Sequence, residues 1–260
     1  MRSESWRAVS WLNVAFRFMQ LPIGLFGVAV GTVTLPEVSR QAARGEYDAL
    51  RRTLRQSLEL LALLCLPAAA ALIVYRVPVI GLLYEHGRFH AADTEAAAMA
   101  LLGYAIGLAG YAGIKVLAPT FYALNDARTP AAVSLLSIGV NYALNWTFVR
   151  RLGFGHVGLA VSTSAVATLN FTLLWVLLRR RIGALGGTTG RRVGRVLVAV
   201  AVMVGACVAA DAGAARLGLP PGTLSYAARL AIGGPVGLAA FWGAARLLGL
   251  PVALPRRAAR

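Results

Sequence analysis

Acidic residues are scarce in this sequence: ten Asp and Glu stand against 26 Lys and Arg in 260 residues, for a formal net charge of +16. Lysine is almost missing as well, since Lys115 is the only one among those basic residues and all the others are arginine. There are two cysteines, Cys65 and Cys207, both inside apolar runs and without a CxxC spacing or histidine neighbours. That excludes a zinc-ligand or dithiol motif and leaves them as small hydrophobes. Histidine is limited to His86, His90 and His156, again without metal-ligand company, and Glu37, Glu46, Asp48, Glu85, Asp93, Glu95 and Asp126 fall in loops or at helix ends. No nucleophile, base or metal constellation emerges, so the chain does not read as an enzyme. The first twenty residues lack a compact apolar stretch followed by a small-residue cleavage site, and no signal peptide is expected.

What is abundant is apolar. Hydrophobic residues make up 58% of the chain and charged ones 14%, and the apolar residues arrive in long blocks instead of a one-sided helical stripe. A water-soluble domain is excluded by that pattern. The positive charge alone would suit nucleic acid, where arginines release condensed counterions. Here, however, it is confined to short clusters between apolar runs, which is how membrane proteins mark cytoplasmic loops and meet anionic lipid head groups. Anionic membrane lipids are therefore expected partners, and nucleic acid is not.

Crossing about 30 Å of hydrocarbon at about 1.5 Å per residue takes roughly 20 mostly apolar residues. Seven stretches qualify: about 9–38, 57–75, 95–122, 130–149, 157–178, 193–210 and 228–248. The chain is thus expected to be an all-α integral membrane protein of about seven transmembrane helices. Asp93 and Thr94 are placed to cap the third span, and Thr129 with Pro130 to start the fourth. Glu59 opens the second span against a basic interface, and Asp211 ends the sixth. Between the first two spans, Leu50, Leu54 and Leu58 recur among arginines, which predicts either a helix over about 41–58 lying on the membrane surface or a solvated charged loop.

Arginine counts on alternate loops test this division. One face carries Arg40, Arg44, Arg51, Arg52, Arg55, Arg128, Arg179, Arg180, Arg181, Arg191, Arg192, Arg195, Arg246, Arg256, Arg257 and Arg260. The other has half as many: Arg2, Arg7, Arg76, Arg88, Arg150, Arg151, Arg216 and Arg229. The amino terminus is accordingly expected outside the cytoplasmic membrane and the carboxyl terminus inside.

Two cations fall within spans, Arg17 and Lys115, where a charge costs roughly 2.5–3.5 kcal/mol unless it faces a polar cavity. Asn13, Arg17 and Gln20 share about one helix face, and Pro22 removes an intrahelical hydrogen bond just beyond. A cavity wall is one reading for Arg17; a side chain snorkelling to the interface is the other. Lys115 either lines the same cavity or marks the true end of its span. Asn141 and Asn145, one turn apart in the fourth span, and Ser162, Thr163 and Ser164 in the fifth, read as interhelical hydrogen-bonding groups or as oxygen ligands for a cation. A cationic, helix-lined hollow without a nucleophile suggests moving an anionic amphiphile.

The run Phe16-Arg17-Phe18-Met19-Gln20-Leu21-Pro22-Ile23-Gly24, followed by Gly27-Val28-Ala29-Val30-Gly31-Thr32, resembles the MurJ (MviN) family of lipid II flippases, within the MATE-like multidrug, oligosaccharidyl-lipid and polysaccharide exporters. So do Tyr84-Glu85-His86-Gly87-Arg88-Phe89, the specific Lys115-Val116-Leu117-Ala118-Pro119 block with Phe121-Tyr122, then Asp126, Thr129-Pro130 and Gly158-Leu159-Ala160. The family has fourteen transmembrane helices, in two six-helix lobes plus two more. This chain resembles helices eight to fourteen: residues 1–182 a second lobe lacking its first helix, and 183–260 the two additional helices with a basic tail.

The resemblance implies that Arg17, with Gln20 three residues on where an acid is usual, binds the diphosphate of undecaprenyl-linked lipid II; Lys115, the second cation within a span, is expected at the substrate as well. It implies a sodium site at Asn141, Asn145 and Thr163, and no other cofactor. It also implies a separate source for the missing amino-terminal half. An exporter of another polyprenyl-linked saccharide and an inactive truncated membrane scaffold are the alternatives.

Overall fold

The computed structural model describes residues 2–186, 189–216, 220 and 222–250, with side chains from Trp6 onward. These residues form ten α-helices and no strand: α1 (Arg2–Pro22), α2 (Ala29–Ala43), α3 (Tyr47–Val74), α4 (Arg76–Tyr84), α5 (Ala91–Ile106), α6 (Leu108–Ala123), α7 (Arg128–Trp146), α8 (Gly155–Ile182), α9 (Thr189–Ala215) and α10 (Thr223–Leu247). A π-helical turn over Ile23–Val28 joins α1 to α2, so that Trp6–Ala43 is one 38-residue rod. Six stretches are long and apolar enough to cross a membrane, and α5 with α6, bent by 42°, brings the number to seven. The expected all-α membrane fold is what the chain adopts.

Helices form here because apolar blocks in lipid have no water to satisfy their backbone groups, and only internal hydrogen bonds remain. Association then rests on close packing. The main core gathers Phe18, Met19, Leu50, Leu54, Leu101, Leu117 and Leu174 from α1, α3, α5, α6 and α8. A second cluster, with Leu63, Tyr75, Met203, Cys207 and Phe241, docks α9 and α10 on α3 and α4. Both cysteines are free and buried, as small apolar side chains would be. Where α5 and α6 cross α8 the contact is backbone-close, and a Cβ on Gly107 would come within 2.6 Å of Ser164 Cα.

Several local expectations change. The third span is two helices meeting at Gly107, and a short helix, α4, precedes it where only a loop was expected. Asp93 and Thr94 lie inside the first turn of α5, not ahead of it. Asp93 Oδ2 accepts the His90 backbone N–H at 3.0 Å, Asp93 Oδ1 accepts Trp11 Nε1 at 2.9 Å, and Thr94 donates to Glu85 Oε2 at 2.7 Å. Thr129 is the capped residue and not the cap: Asp126 accepts both its backbone N–H at 3.0 Å and its hydroxyl at 2.8 Å.

The segment over 41–58 is split. Residues 41–43 complete α2, and 47–58 are the first turns of α3, continuous with its span. Leu50 and Leu54 are fully buried there, so the leucine repeat serves the bundle core. Asp211 does more than end a helix, since it takes a bidentate ion pair from Arg229 of α10 at 2.5 and 2.6 Å. Glu59 meets the basic interface as expected, through Arg192 Nη1 at 2.5 Å. The basic tail with Arg256, Arg257 and Arg260 lies outside the described residues.

Candidate substrate-facing surface

α1 has two faces. Val14, Ala15, Phe18 and Met19 are buried, turning toward the bundle. Asn13, Arg17, Gln20 and Gly24, spaced four, three and four residues apart, form the opposite stripe, and all four are exposed. The structure therefore keeps Arg17 and Gln20 together on one uncovered face, about a third of the way along the Trp6–Ala43 rod. None of the ion pairs among the described residues includes Arg17 or Lys115. Within this chain the face is one open wall, not an enclosed hollow.

Lys115 stands apart from it. The side chain is exposed on α6, which continues to Ala123, so the span does not end at the lysine. Its carbonyl oxygen lies 2.8 Å from where a Cβ on Gly31 would stand. Gly31 is fourteen residues beyond Arg17 on the same rod, or about 20 Å along a helix. Arg17 and Lys115 thus sit at different depths.

The polar groups of α7 and α8 meet, but not in the expected combination. Asn145 Nδ2 donates to Asn141 Oδ1 at 2.9 Å, and the fully buried Ser162 donates its hydroxyl to Asn145 Oδ1. Thr163 turns back into its own helix, donating to the Leu159 carbonyl at 2.7 Å. The trio is thus Asn141, Asn145 and Ser162, three neutral groups already bonded to one another, and neither α7 nor α8 contains an acidic residue. As it stands this is an interhelical hydrogen-bond chain that offers a sodium ion no negative charge, and the fit to that ion is poor. No cluster of three or more His, Cys, Asp or Glu exists among the described residues.

α7 is the least covered element, with only Pro130, Val133 and Ser137 buried along it. Besides the Asn145–Ser162 bond and buried Val133, it is tied inward by an ion pair: Asp126, in the loop before it, meets Arg181 at the end of α8. Thr129 donors, and then the nearby Arg181 charge, hold the Asp126 carboxyl below the usual carboxylate range. At the rims, Arg150, Arg179 and Arg246 sit over Trp146, Trp175 and Trp242 at 5.6, 6.0 and 4.2 Å from the ring centroids. Sequence reading missed this Trp-x-x-x-Arg repeat, although a span end carrying both residue types is a recognisable interface marker. It named Ser162 beside Thr163 and Ser164 but put Thr163 in the trio, and it missed the Asp211–Arg229 pair, for which no local pattern gives a sign.

A polytopic, all-helical membrane protein with an arginine on a polar, uncovered face of its first helix is what these elements define. The family model described as "Lipid II flippase MurJ" matches residues 5–218, and the chain belongs to that family. Among relatives, the probable lipid II flippase MurJ of Vibrio cholerae is 36% identical over 200 residues, covering 76% of this chain and 38% of that protein. The lipid II flippase MurJ of Burkholderia cenocepacia is 41% identical over 177 residues, covering 67% of this chain and 33% of that protein. The chain therefore spans little more than a third of these relatives. A solved structure titled "Lipid II flippase MurJ, inward closed conformation" shares the fold at a TM-score of 0.73 and 23% identity, covering 93% of this chain and 48% of that one. The protein is accordingly a multi-pass inner-membrane protein.

Proposed function

We propose that this chain is the carboxyl-terminal part of a lipid II flippase, moving the undecaprenyl-diphosphate-linked peptidoglycan precursor across the cytoplasmic membrane by alternating access and transforming nothing. The observation that carries this reading is Arg17, exposed beside Asn13 and Gln20 inside the Trp6–Ala43 span, on a face no other described helix covers. A guanidinium in that position, costing roughly 2.5–3.5 kcal/mol against hydrocarbon, is accommodated by a watery cavity and a phosphorylated lipid. Two lobes rocking about a central site is the usual way such a cavity opens to each side in turn. The facing wall belongs to the part of the relatives that this chain does not span, supplied upstream or by a separate chain.

The amino terminus then lies outside and the carboxyl terminus inside, with the arginine-rich rim meeting anionic lipids. Lys115 serves the substrate at a second depth, after Arg17. If sodium drives the cycle, Asn141, Asn145 and Ser162 would need a carboxylate from the missing lobe.

The test is complementation in cells depleted of their own flippase. The chain alone is expected to fail, and co-expression with an amino-terminal half from a relative to restore growth. Arg17→Ala in that pair is expected to abolish rescue and Arg17→Lys to retain part of it. Full rescue by the chain alone, or unimpaired growth with Arg17→Ala, overturns the proposal; the latter outcome favours a membrane scaffold. Competition between lipid II and other polyprenyl-linked saccharides in vesicles separates the flippase from an exporter of another saccharide.

A further inference from the structure

Two of the spans depart from the regular α-helix at the same depth, α5–α6 by a 42° bend and the continuous α1–α2 rod by a π-helical turn. The rod α1–α2 and the pair α5–α6 run side by side in the same direction. Trp11 bonds Asp93, Phe16 packs on Tyr104 with ring centroids 5.6 Å apart, Gly27 faces Ala112 and Gly31 faces Lys115. Partner numbers rise together along both, at a nearly constant offset of about 85 residues, as parallel helices of equal rise must show. That register sets Pro22, where α1 gives way to the π-helical turn, opposite Gly107, where α5 gives way to α6 at 42°.

The two breaks have separate chemical causes. Pro22 has no N–H, so the helix loses a rung there, and the π turn that follows loosens the ladder further. At Gly107 the N–H reaches back to Tyr104 O at 3.1 Å, an i−3 bond in place of the helical i−4 one. Tyr104 O also receives the Ser164 hydroxyl at 3.0 Å, from a helix that runs straight past the bend over Gly155–Ile182. The bend is thereby braced by a polar side chain of α8, the kind of support that non-helical backbone needs at membrane depth.

Above and below this level the partners are tied in different ways. The outer arms share the Trp11–Asp93 hydrogen bond at 2.9 Å and the Phe16–Tyr104 contact. The inner arms are locked by glycine-to-backbone approach, since a Cβ on Gly27 would lie 3.2 Å from Ala112 Cα. Each arm of one span is thus tied to the matching arm of the other, and the two interruptions lie between these sets of contacts.

We propose that Pro22 and Gly107 are a single hinge plane, on which α1 and α5 swing together against α2 and α6. Both are then positioning residues for Arg17, which rides the outer arm while Lys115 rides the inner one. The purpose of the motion rests on the transport reading; the motion itself does not.

End-to-end distances within each span test it. In a Cys65→Ala, Cys207→Ala background reconstituted in phosphatidylethanolamine and phosphatidylglycerol vesicles, spin-label pairs go on exposed sites: Val9 with Val33, Glu95 with Tyr122, and Leu197 with Ala212 in the unbroken α9 as control. Both broken-span pairs are expected to give broader distance distributions than the control. Pro22→Ala, which restores an N–H and is mild for folding, is expected to narrow the Val9–Val33 pair. It is also expected to lengthen the Glu95–Tyr122 distance by up to about 3 Å, the gain from straightening a 42° bend between arms of these lengths. A response confined to the Val9–Val33 pair means two independent kinks and overturns the shared hinge, as do broken-span distributions as narrow as the control. Because the readout is a distance, failure of the Arg17 complementation test leaves this result standing, and the reverse holds too.

Discussion

The Asp211–Arg229 pair offers a sharp energetic test of how α9 and α10 are held together. Its side chains are 26% and 29% exposed, between surface pairs worth about 0.2–1 kcal/mol and buried ones in which loss of one partner costs about 3–5 kcal/mol. With two charge-assisted hydrogen bonds of 2.5 and 2.6 Å, removing either partner is expected to cost about 2 kcal/mol. Most of that is the burden of the charge left behind, so the double variant should cost clearly less than the two singles together, with a coupling of about 1–2 kcal/mol.

For a chain of this size each kcal/mol moves a thermal midpoint by about 2–4 °C, hence roughly 4–8 °C for Asp211→Ala or Arg229→Ala. Detergent-purified variants in a Cys65→Ala background would be heated and scored for monodisperse protein. Labelling of Cys207, buried where α9 and α10 meet and only 2% exposed, reports whether the helices part. Singles that leave both the midpoint and Cys207 protection unchanged, or a double variant that loses the full sum, would refute the reasoning.

Three further outcomes are expected. Ser162→Ala should destabilise the α7–α8 contact by about 0.6 kcal/mol, the average for interhelical bonds in membranes, whereas Thr163→Val should be near neutral because its hydroxyl bonds only its own helix; equal effects in a detergent-unfolding titration would contradict the assigned trio. The Asp126 carboxyl is held below its unfolded range, so its contribution is present above the unfolded pKa and lost as pH falls through the lower folded one. Amide exchange in the Ala123–Arg128 loop should accordingly stay slow through the mildly acidic range and accelerate only below it, and Asp126→Asn should raise it already at neutral pH. Arg192→Ala strands Glu59, whose side chain is 10% exposed, and should lower the thermal midpoint, with Glu59→Gln added restoring much of it; no recovery in the double variant would show that the pair is not the cause.

By itself the sequence determined the class and the spans. Apolar run length is a local property, and the bilayer fixes it, so stretches near 130–149, 157–178 and 193–210 reappear as α7, α8 and α9 with only their ends moved. The Arg17 stripe was legible too, since Asn13, Arg17 and Gln20 share a face by helical period alone. Rotation and depth were decided only by packing. Which side of α8 meets α7 selects Ser162 over the neighbouring Thr163, and the register of α6 on α2 sets Lys115 about 20 Å from Arg17 instead of beside it. At the Gly107 bend likewise, the Tyr104 carbonyl takes a second hydrogen bond from Ser164 of a helix more than fifty residues away. Such contacts join residues far apart in sequence, and in lipid, where burying apolar surface does not distinguish one helix face from another, close packing and polar pairing make the choice.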